Sequence, residues 1–151
     1  MISSAAHKRR LGAVSFLNTL PLIDGLECTE HVELVLDVPS KLSSRLIAGD
    51  TDISLCSVID QQTSSCELEL VPVGLIGCDG PTDTVRLFSR TPITQLQSIA
   101  CDIHSNTSVV LLQLILAQAH GVHPELTPFD ALASEEEPEA MLLIGDKVVH
   151  M

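Results

Sequence analysis

An α/β fold is predicted for this chain by three observations. Short β-rich runs alternate with helix-like segments along the whole length, cap and turn residues mark their boundaries, and helices rather than tight hairpins separate successive strands. Strands joined by helical crossovers return in the same direction, so the pairing expected is parallel. The 151 residues suffice for one domain or two small lobes. A folded chain of this size buries roughly 68–70% of its unfolded surface, so a genuine core is within reach.

Residues 11–14 read as the first strand. Ser15, Asn18 and Thr19 then lead into a short helix near 21–26, because Asn and Thr cap helices and Pro21 suits a first turn. A second strand covers 32–38, and Ser40 is expected to cap a helix over 41–48 that Gly49 ends. Residues 53–56 suggest a short buried strand, 58–62 a helical turn and 68–76 a further strand, in which Pro72 marks an edge or a bend. The segment 77–84 is a loop rich in turn formers.

Strands are expected at 85–89 and 98–101, with a short helical piece after Thr91-Pro92. The run Ser105-Asn106-Thr107-Ser108 caps the longest helix, 109–120, which Gly121 terminates. A short strand near 125–127, an acidic loop or helix over 130–140 and a strand over 141–144 complete the series. No internal repeat is present, and the seam between lobes is expected around Arg90-Thr91-Pro92.

Composition narrows the function. Apolar residues make up 45% and charged residues 19%, which excludes a disordered chain. Eight Lys+Arg against twenty Asp+Glu leave a net charge of −12, and the only aromatic residues are three Phe. Such a chain offers neither a cationic track for phosphates nor rings for stacking bases, so no nucleic-acid partner is expected. The cysteines, Cys28, Cys56, Cys66, Cys78 and Cys101, form no C-x-x-C pair and read as small buried thiols of a reducing compartment. No apolar run approaches the ~20 residues of a spanning helix, so no membrane partner is expected. His7-Lys8-Arg9-Arg10 before an apolar run mimics an export signal, but Asn18, Thr19 and Pro21 interrupt it. An exposed tail, a first strand and a cytoplasmic location are expected.

Three strand-to-helix junctions carry short hydroxyl or amide side chains: Ser15/Asn18/Thr19, Ser40, and Ser105 to Ser108. Free N–H groups at the first turn of a helix, together with its positive dipole end, suit a carboxylate or phosphate. Converging junctions would hold a small anion without Lys or Arg; taken singly, each is equally an ordinary cap. No phosphate-binding glycine loop, nucleophile elbow or hydrolase triad is present. His120 and His123 flank a helix end with no carboxylate at helical spacing, so no metal is expected. Glu135-Glu136-Glu137 is read as a solvated loop. Asp60, Asp79, Asp102 and Asp146 stand at loop starts, where an acid can act as a base or simply cap a turn.

The run from Arg10 to Ile23 (RLGAVSFLNTLPLI) resembles the opening of the chorismate dehydratase family of the futalosine route to menaquinone. Four further blocks continue the resemblance in order. They are Glu33 to Ser40 with Leu46 to Ile53, Asp79-Gly80-Pro81 with Thr84 to Ser89, Asn106 to Ser108 with the Leu-rich helix, and Leu142 to Asp146. The resemblance implies a periplasmic-binding-protein-like type 2 fold, with two α/β lobes and the ligand cleft between them. In this chain, 1–90 would be the front half of the first lobe and 91–151 part of the second, the remainder of the family fold being absent, as in a C-terminal truncation.

It further implies a lyase that removes water from chorismate to give 3-[(1-carboxyvinyl)oxy]benzoate, with no cofactor and no metal. Asn18 matches the family's Asn, which orients the substrate. Thr84 falls where the family carries a catalytic Ser, and keeps the hydroxyl while adding a methyl. Ser15, Ser40, Thr107 and Ser108 would contact substrate, and a substrate carboxylate would itself take the proton. Departures lie at Ser57, Asp60 and Gln61, where the family often carries Pro and Glu-Tyr. A non-catalytic small-anion-binding module, or an inactive fragment of the enzyme, is the alternative reading. Incomplete lobes would leave self-association open.

Overall fold

The computed structural model describes residues 8–135 and 137–150. The tail expected at the N-terminus up to His7, and Glu136 of the acidic run, lie outside the described residues. The chain divides into two units, Met1–Ile76 and Gly77–Met151, and both are mixed α/β.

In the first unit, β1 (Arg9–Val14) lies at the centre of a parallel sheet of order β2-β1-β3. Its register with β2 (Val32–Asp37) runs from Arg9↔Val32 to Val14↔Asp37, and β3 (Ile53–Ser54) pairs on the other side. After β1 the chain makes a 3-10 turn, Leu17–Thr19, and a four-residue helix, α1 (Leu20–Ile23), with Pro21 in its first turn. Gly25, at φ +78°, breaks the helix before a second 3-10 turn, Leu26–Cys28. Helix α2 (Pro39–Ile47) follows β2 and turns Leu42 and Ser43 inward. It starts one residue before Ser40, so Ser40 is not its cap: Val38 holds that position without a side-chain bond. Helix α3 (Asp60–Thr63) is a single turn in which Asp60 accepts the Ser57 N–H at 3.2 Å.

The layers of this unit close tightly on Gly12 in β1. A Cβ there would collide with Ser54 Oγ and stand 3.1 Å from Leu42 Cδ2. Ser54 cannot swing away freely, because its hydroxyl is bonded to Thr51 Oγ1 at 2.7 Å. Two acids brace the surrounding loops. Asp52 accepts the Arg10 N–H at 2.7 Å, and Asp37 accepts Arg45 Nε at 2.6 Å and the Val38 N–H at 2.8 Å. Burial pulls the Asp37 carboxyl upward, but the bonds from Arg45 and Val38 and the charges of Arg45 and Lys41 outweigh it, holding it below the ordinary carboxylate value.

The second unit holds β4 (Val85–Ser89), β5 (Ser98–Asp102), β6 (Glu125–Phe129) and β7 (Ala140–Ile144) in the order β4-β7-β5-β6. β5 runs parallel to both neighbours, while β4 is antiparallel to β7. Pro128 sits in the edge strand β6, where a missing N–H is tolerated. Helix α4 (Thr107–Ile115) continues as a π turn, Leu116–His120, which Gly121 closes at φ +65°. Leu112 and Leu116 pack with Leu96, Ile99, Cys101, Ala140 and Leu142 as the core.

Several sequence expectations need correction. Residues 68–76 form no strand: Pro72 removes a donor, and the Val73 N–H turns back to the Val71 carbonyl at 2.9 Å. The division at Ile76/Gly77 precedes the seam expected at Arg90-Thr91-Pro92, because β4 is hydrogen-bonded into the second sheet. β3 stops at Ser54 rather than Cys56, whereas the described part of 130–139 is the loop of the two forms expected there, a turn and coil. Cys28, Cys66 and Cys78 are exposed rather than buried, since they fall in a 3-10 turn and two coil segments. Among the described residues, no helix is long and apolar enough to cross a membrane.

Two measurements test this packing. Gly12→Ala destabilises the chain by about 1–3 kcal/mol in urea unfolding, the usual cost of overpacking. The Asp37 contribution to stability is complete above its unfolded value of about 3.9 and disappears as pH falls through the lower folded value. A series of urea melts between pH 6 and about 2.5 shows that loss in the wild type, and shows less of it in Asp37→Asn.

Candidate functional site

In an α/β sheet, ligands gather outside the carboxyl ends of the parallel strands, where loops and helix N-termini converge. The first unit brings three expected residues to that edge. Ser15 directly follows β1, and its N–H bonds to the Asp37 carbonyl at the end of β2 at 2.9 Å. Asn18 is exposed on the 3-10 turn after β1. Ser40 is half-buried in the first turn of α2, after β2. Beside Asn18, Thr19 is fully buried and its Oγ1 has no partner, so the expected cap bond is not formed. Cys56 stands just beyond β3, but burial and the charge of Asp60 push its thiol up to about 11, too high for a nucleophile at neutral pH.

The second unit gathers its three candidates in the same way. Thr84 immediately precedes β4, and because β4 is antiparallel to β7 this places it at the carboxyl end of β7. The Gly145 N–H bonds to the Thr84 carbonyl at 2.8 Å and fixes that junction. The Thr84 hydroxyl lies 3.2 Å from Thr82 Oγ1. Thr107 and Ser108 occupy the first turn of α4, after the carboxyl end of β5. Their cap is Ser105, whose buried hydroxyl accepts the Ser108 N–H at 3.2 Å, while the Asn106 side chain makes no cap bond.

The same edge holds a charged cluster that sequence reasoning reached only at Asp102. The side chain of Asp102 is 0% exposed, and that of Lys147 only 11%. Lys147 Nζ approaches Asp102 Oδ2 at 2.5 Å and His104 Nδ1 at 2.9 Å. Asp102 also accepts the His104 N–H at 3.0 Å and the Ile144 N–H at 3.2 Å. Its lone pairs are thus filled by one ammonium and two backbone donors, as a buried carboxylate requires. One signal pointed to this arrangement. Asp102 ends an apolar strand, and Lys147 stands three residues after another, behind Gly145-Asp146, in a chain with only eight Lys+Arg.

Of the other acids at loop starts, Asp79 is exposed and Asp60 caps a turn. Among the described residues, no group of three or more His, Cys, Asp or Glu is arranged to hold a metal ion. A cavity of about 310 Å³ lies over β5 and β6, lined by Ser98, Thr127, Phe129 and Glu137 among others. Its lining runs from Ser98 at the start of β5 to Phe129 at the end of β6, and includes none of the candidate residues.

Lys147→Met leaves a buried, uncompensated carboxylate and is expected to cost about 3–5 kcal/mol. Asp102→Leu combined with Lys147→Met removes both charges and costs less than the single change. A double-mutant cycle by urea unfolding measures the difference.

A family model described as menaquinone biosynthesis matches residues 9–150. A curated protein from Thermus thermophilus, named chorismate dehydratase, is 29% identical over 140 residues. The match covers 92% of this chain and 51% of that protein, so the chain spans about half the length of this relative.

Proposed function

This chain belongs to the menaquinone biosynthesis family, and from that premise we propose that it is a chorismate dehydratase. The reaction is that of a carbon–oxygen lyase. A ring C–H bond and a ring C–OH bond of chorismate break, the proton and hydroxyl leave as water, and the ring of 3-[(1-carboxyvinyl)oxy]benzoate is aromatic. No electrons are exchanged with a carrier. Aromatisation supplies the driving force, which leaves the protein to position the substrate and to stabilise developing charge.

One observation carries this reading. Every residue that the resemblance assigns to substrate lies at the carboxyl-end edge of its own sheet: Ser15, Asn18 and Ser40 in one unit, and Thr84, Thr107 and Ser108 in the other. In the proposed mechanism the Asn18 amide orients the ring by hydrogen bonding, and the Thr84 hydroxyl contacts the reacting region. Ser15 and Ser40, with Thr107 and Ser108 at the first turn of α4, offer hydroxyl and N–H donors to the carboxylates. A carboxylate of the substrate takes the ring proton. We read the two units as parts of a periplasmic-binding-protein-like type 2 fold, the first as the front of one lobe and the second as part of the other. A cytoplasmic location belongs to the same reading.

The neutral donors at the first turns of α2 and α4 equally suit a second reading, a small-anion-binding module or inactive fragment of the enzyme, without turnover. Chromatography of chorismate incubated with the purified chain separates the two. Under the lyase reading the benzoate product accumulates, and Asn18→Ala lowers kcat/KM by about 100-fold or more, the scale of losing one preorganised donor. The exposed position of Asn18 leaves the melting curve of that variant unchanged. Chorismate at about 100-fold over Kd adds roughly 2.7 kcal/mol and raises Tm by about 5–10 °C. A shift without product supports the binding module, and neither shift nor product overturns both.

A further inference from the structure

We propose that His104 is a ligand-binding residue that presents a single N–H donor, from Nε2, to a carboxylate of the substrate. Lys147 and Asp102 are the positioning residues that hold it in that state. The inference rests on the reading of the substrate as a small carboxylate and extends it to residues that the resemblance does not assign.

An ammonium donates and cannot accept, so the 2.9 Å bond between Lys147 Nζ and His104 Nδ1 requires Nδ1 to accept. A neutral imidazole whose Nδ1 accepts carries its proton on Nε2. The charge on Lys147 is itself secured by the Asp102 carboxylate at 2.5 Å. The other route, an Nδ1–H bonded to Asp102, is not available at the 3.6 Å separating His104 Nδ1 from Asp102 Oδ1. Asp102 instead holds the backbone of His104, accepting its N–H at 3.0 Å. Three consecutive contacts therefore determine which nitrogen of one ring carries the proton.

That proton is not used by the protein. Among the described residues, His104 Nε2 has no hydrogen-bond partner, and it does not count among the buried polar atoms left unsatisfied. With the side chain 16% exposed, the open nitrogen reaches solvent. His104 lies between the end of β5 and the first turn of α4, on the edge that also carries Thr84, Thr107 and Ser108. An oriented donor, stiffened from behind and open in front, is what recognition of an anionic oxygen requires. The ammonium itself is spent on Asp102, so the ring carries the donor function outward without adding a free charge.

The tests separate this inference from the reading it rests on. Two-bond ¹H–¹⁵N spectra of histidine-labelled chain, without ligand, are expected to show His104 as the Nε2–H tautomer, and Lys147→Met is expected to lose that preference. A His104 signal in the Nδ1–H form overturns the proposal. Chorismate and benzoate are then titrated while the same resonance is followed. His104→Asn, which withdraws the outer donor, is expected to weaken chorismate binding about 10- to 100-fold, as for a lost bond to a charged group. His104→Gln, whose amide nitrogen reaches the position of Nε2, is expected to restore most of it. Unchanged binding in His104→Asn overturns the inference and leaves the lyase reading standing. A response of His104 to benzoate but not to chorismate overturns the lyase reading and leaves the donor role standing. No response to either anion overturns the inference.

Discussion

A carboxylate with no access to water sets the terms for the second unit. Asp102 ends β5 with a side chain that solvent does not reach, and such a group is tolerated only when counter-charge and donors surround it. The regular pairing of β5 with β7 ends at Cys101↔Leu142, and Asp102 takes over from there by accepting the Ile144 N–H. The same carboxylate draws in Lys147 from the 3-10 turn after β7 and fixes the backbone at His104 before α4 begins. One buried charge therefore joins the ends of two strands and the approach to the principal helix. It does so on the edge where an α/β sheet meets its ligands.

The first unit reaches a comparable edge under a steric constraint instead. Its central strand admits no side chain at Gly12, because β3 and α2 both press on that position. Close packing there makes the strand ends a firm base for the residues that follow them. Ser15 is tied to β2 by its own N–H, and Asp37 locks the start of α2 through Val38 and Arg45. The candidate residues Asn18 and Ser40 thus rise from short connections whose bases are held by backbone bonds rather than from long mobile loops.

Legibility from sequence followed the range of the interaction involved. The strands of both sheets and the helices after Pro39 and Ser105 rest on local signals, alternation, caps and glycine ends, and they were readable to within a few residues. Features that depend on distant partners were not. The 68–76 run has strand composition but forms no strand in the described chain, and β4 belongs to the second sheet only through β7. At the site, the hydroxyl and amide residues were visible as cap types beside predicted strands. The cap bond itself belongs to Ser105 at α4 and is absent at α2, a distinction of one or two residues that composition does not carry. The His104–Lys147 contact joins positions 43 apart, and nothing local announces it.

The distribution of charge explains why hydroxyls, amides and one imidazole make up the candidate edges. Eight Lys+Arg serve a chain of twenty Asp+Glu. Arg10, Arg45, Arg86, Arg90 and Lys147 are each engaged by an acid, so most of the positive charge is already committed. Under the proposed function, recognition of an anion falls to neutral donors whose direction is set in advance, such as the first-turn N–H groups of α4 and the hydroxyls beside them. Pre-set neutral donors gain less from bare Coulomb attraction than a free ammonium would, but they lose little freedom on binding and need no counter-ion in the empty state. In the proposal made for His104, the Asp102–Lys147 pair follows the same logic, a buried ion pair setting the direction of an uncharged N–H.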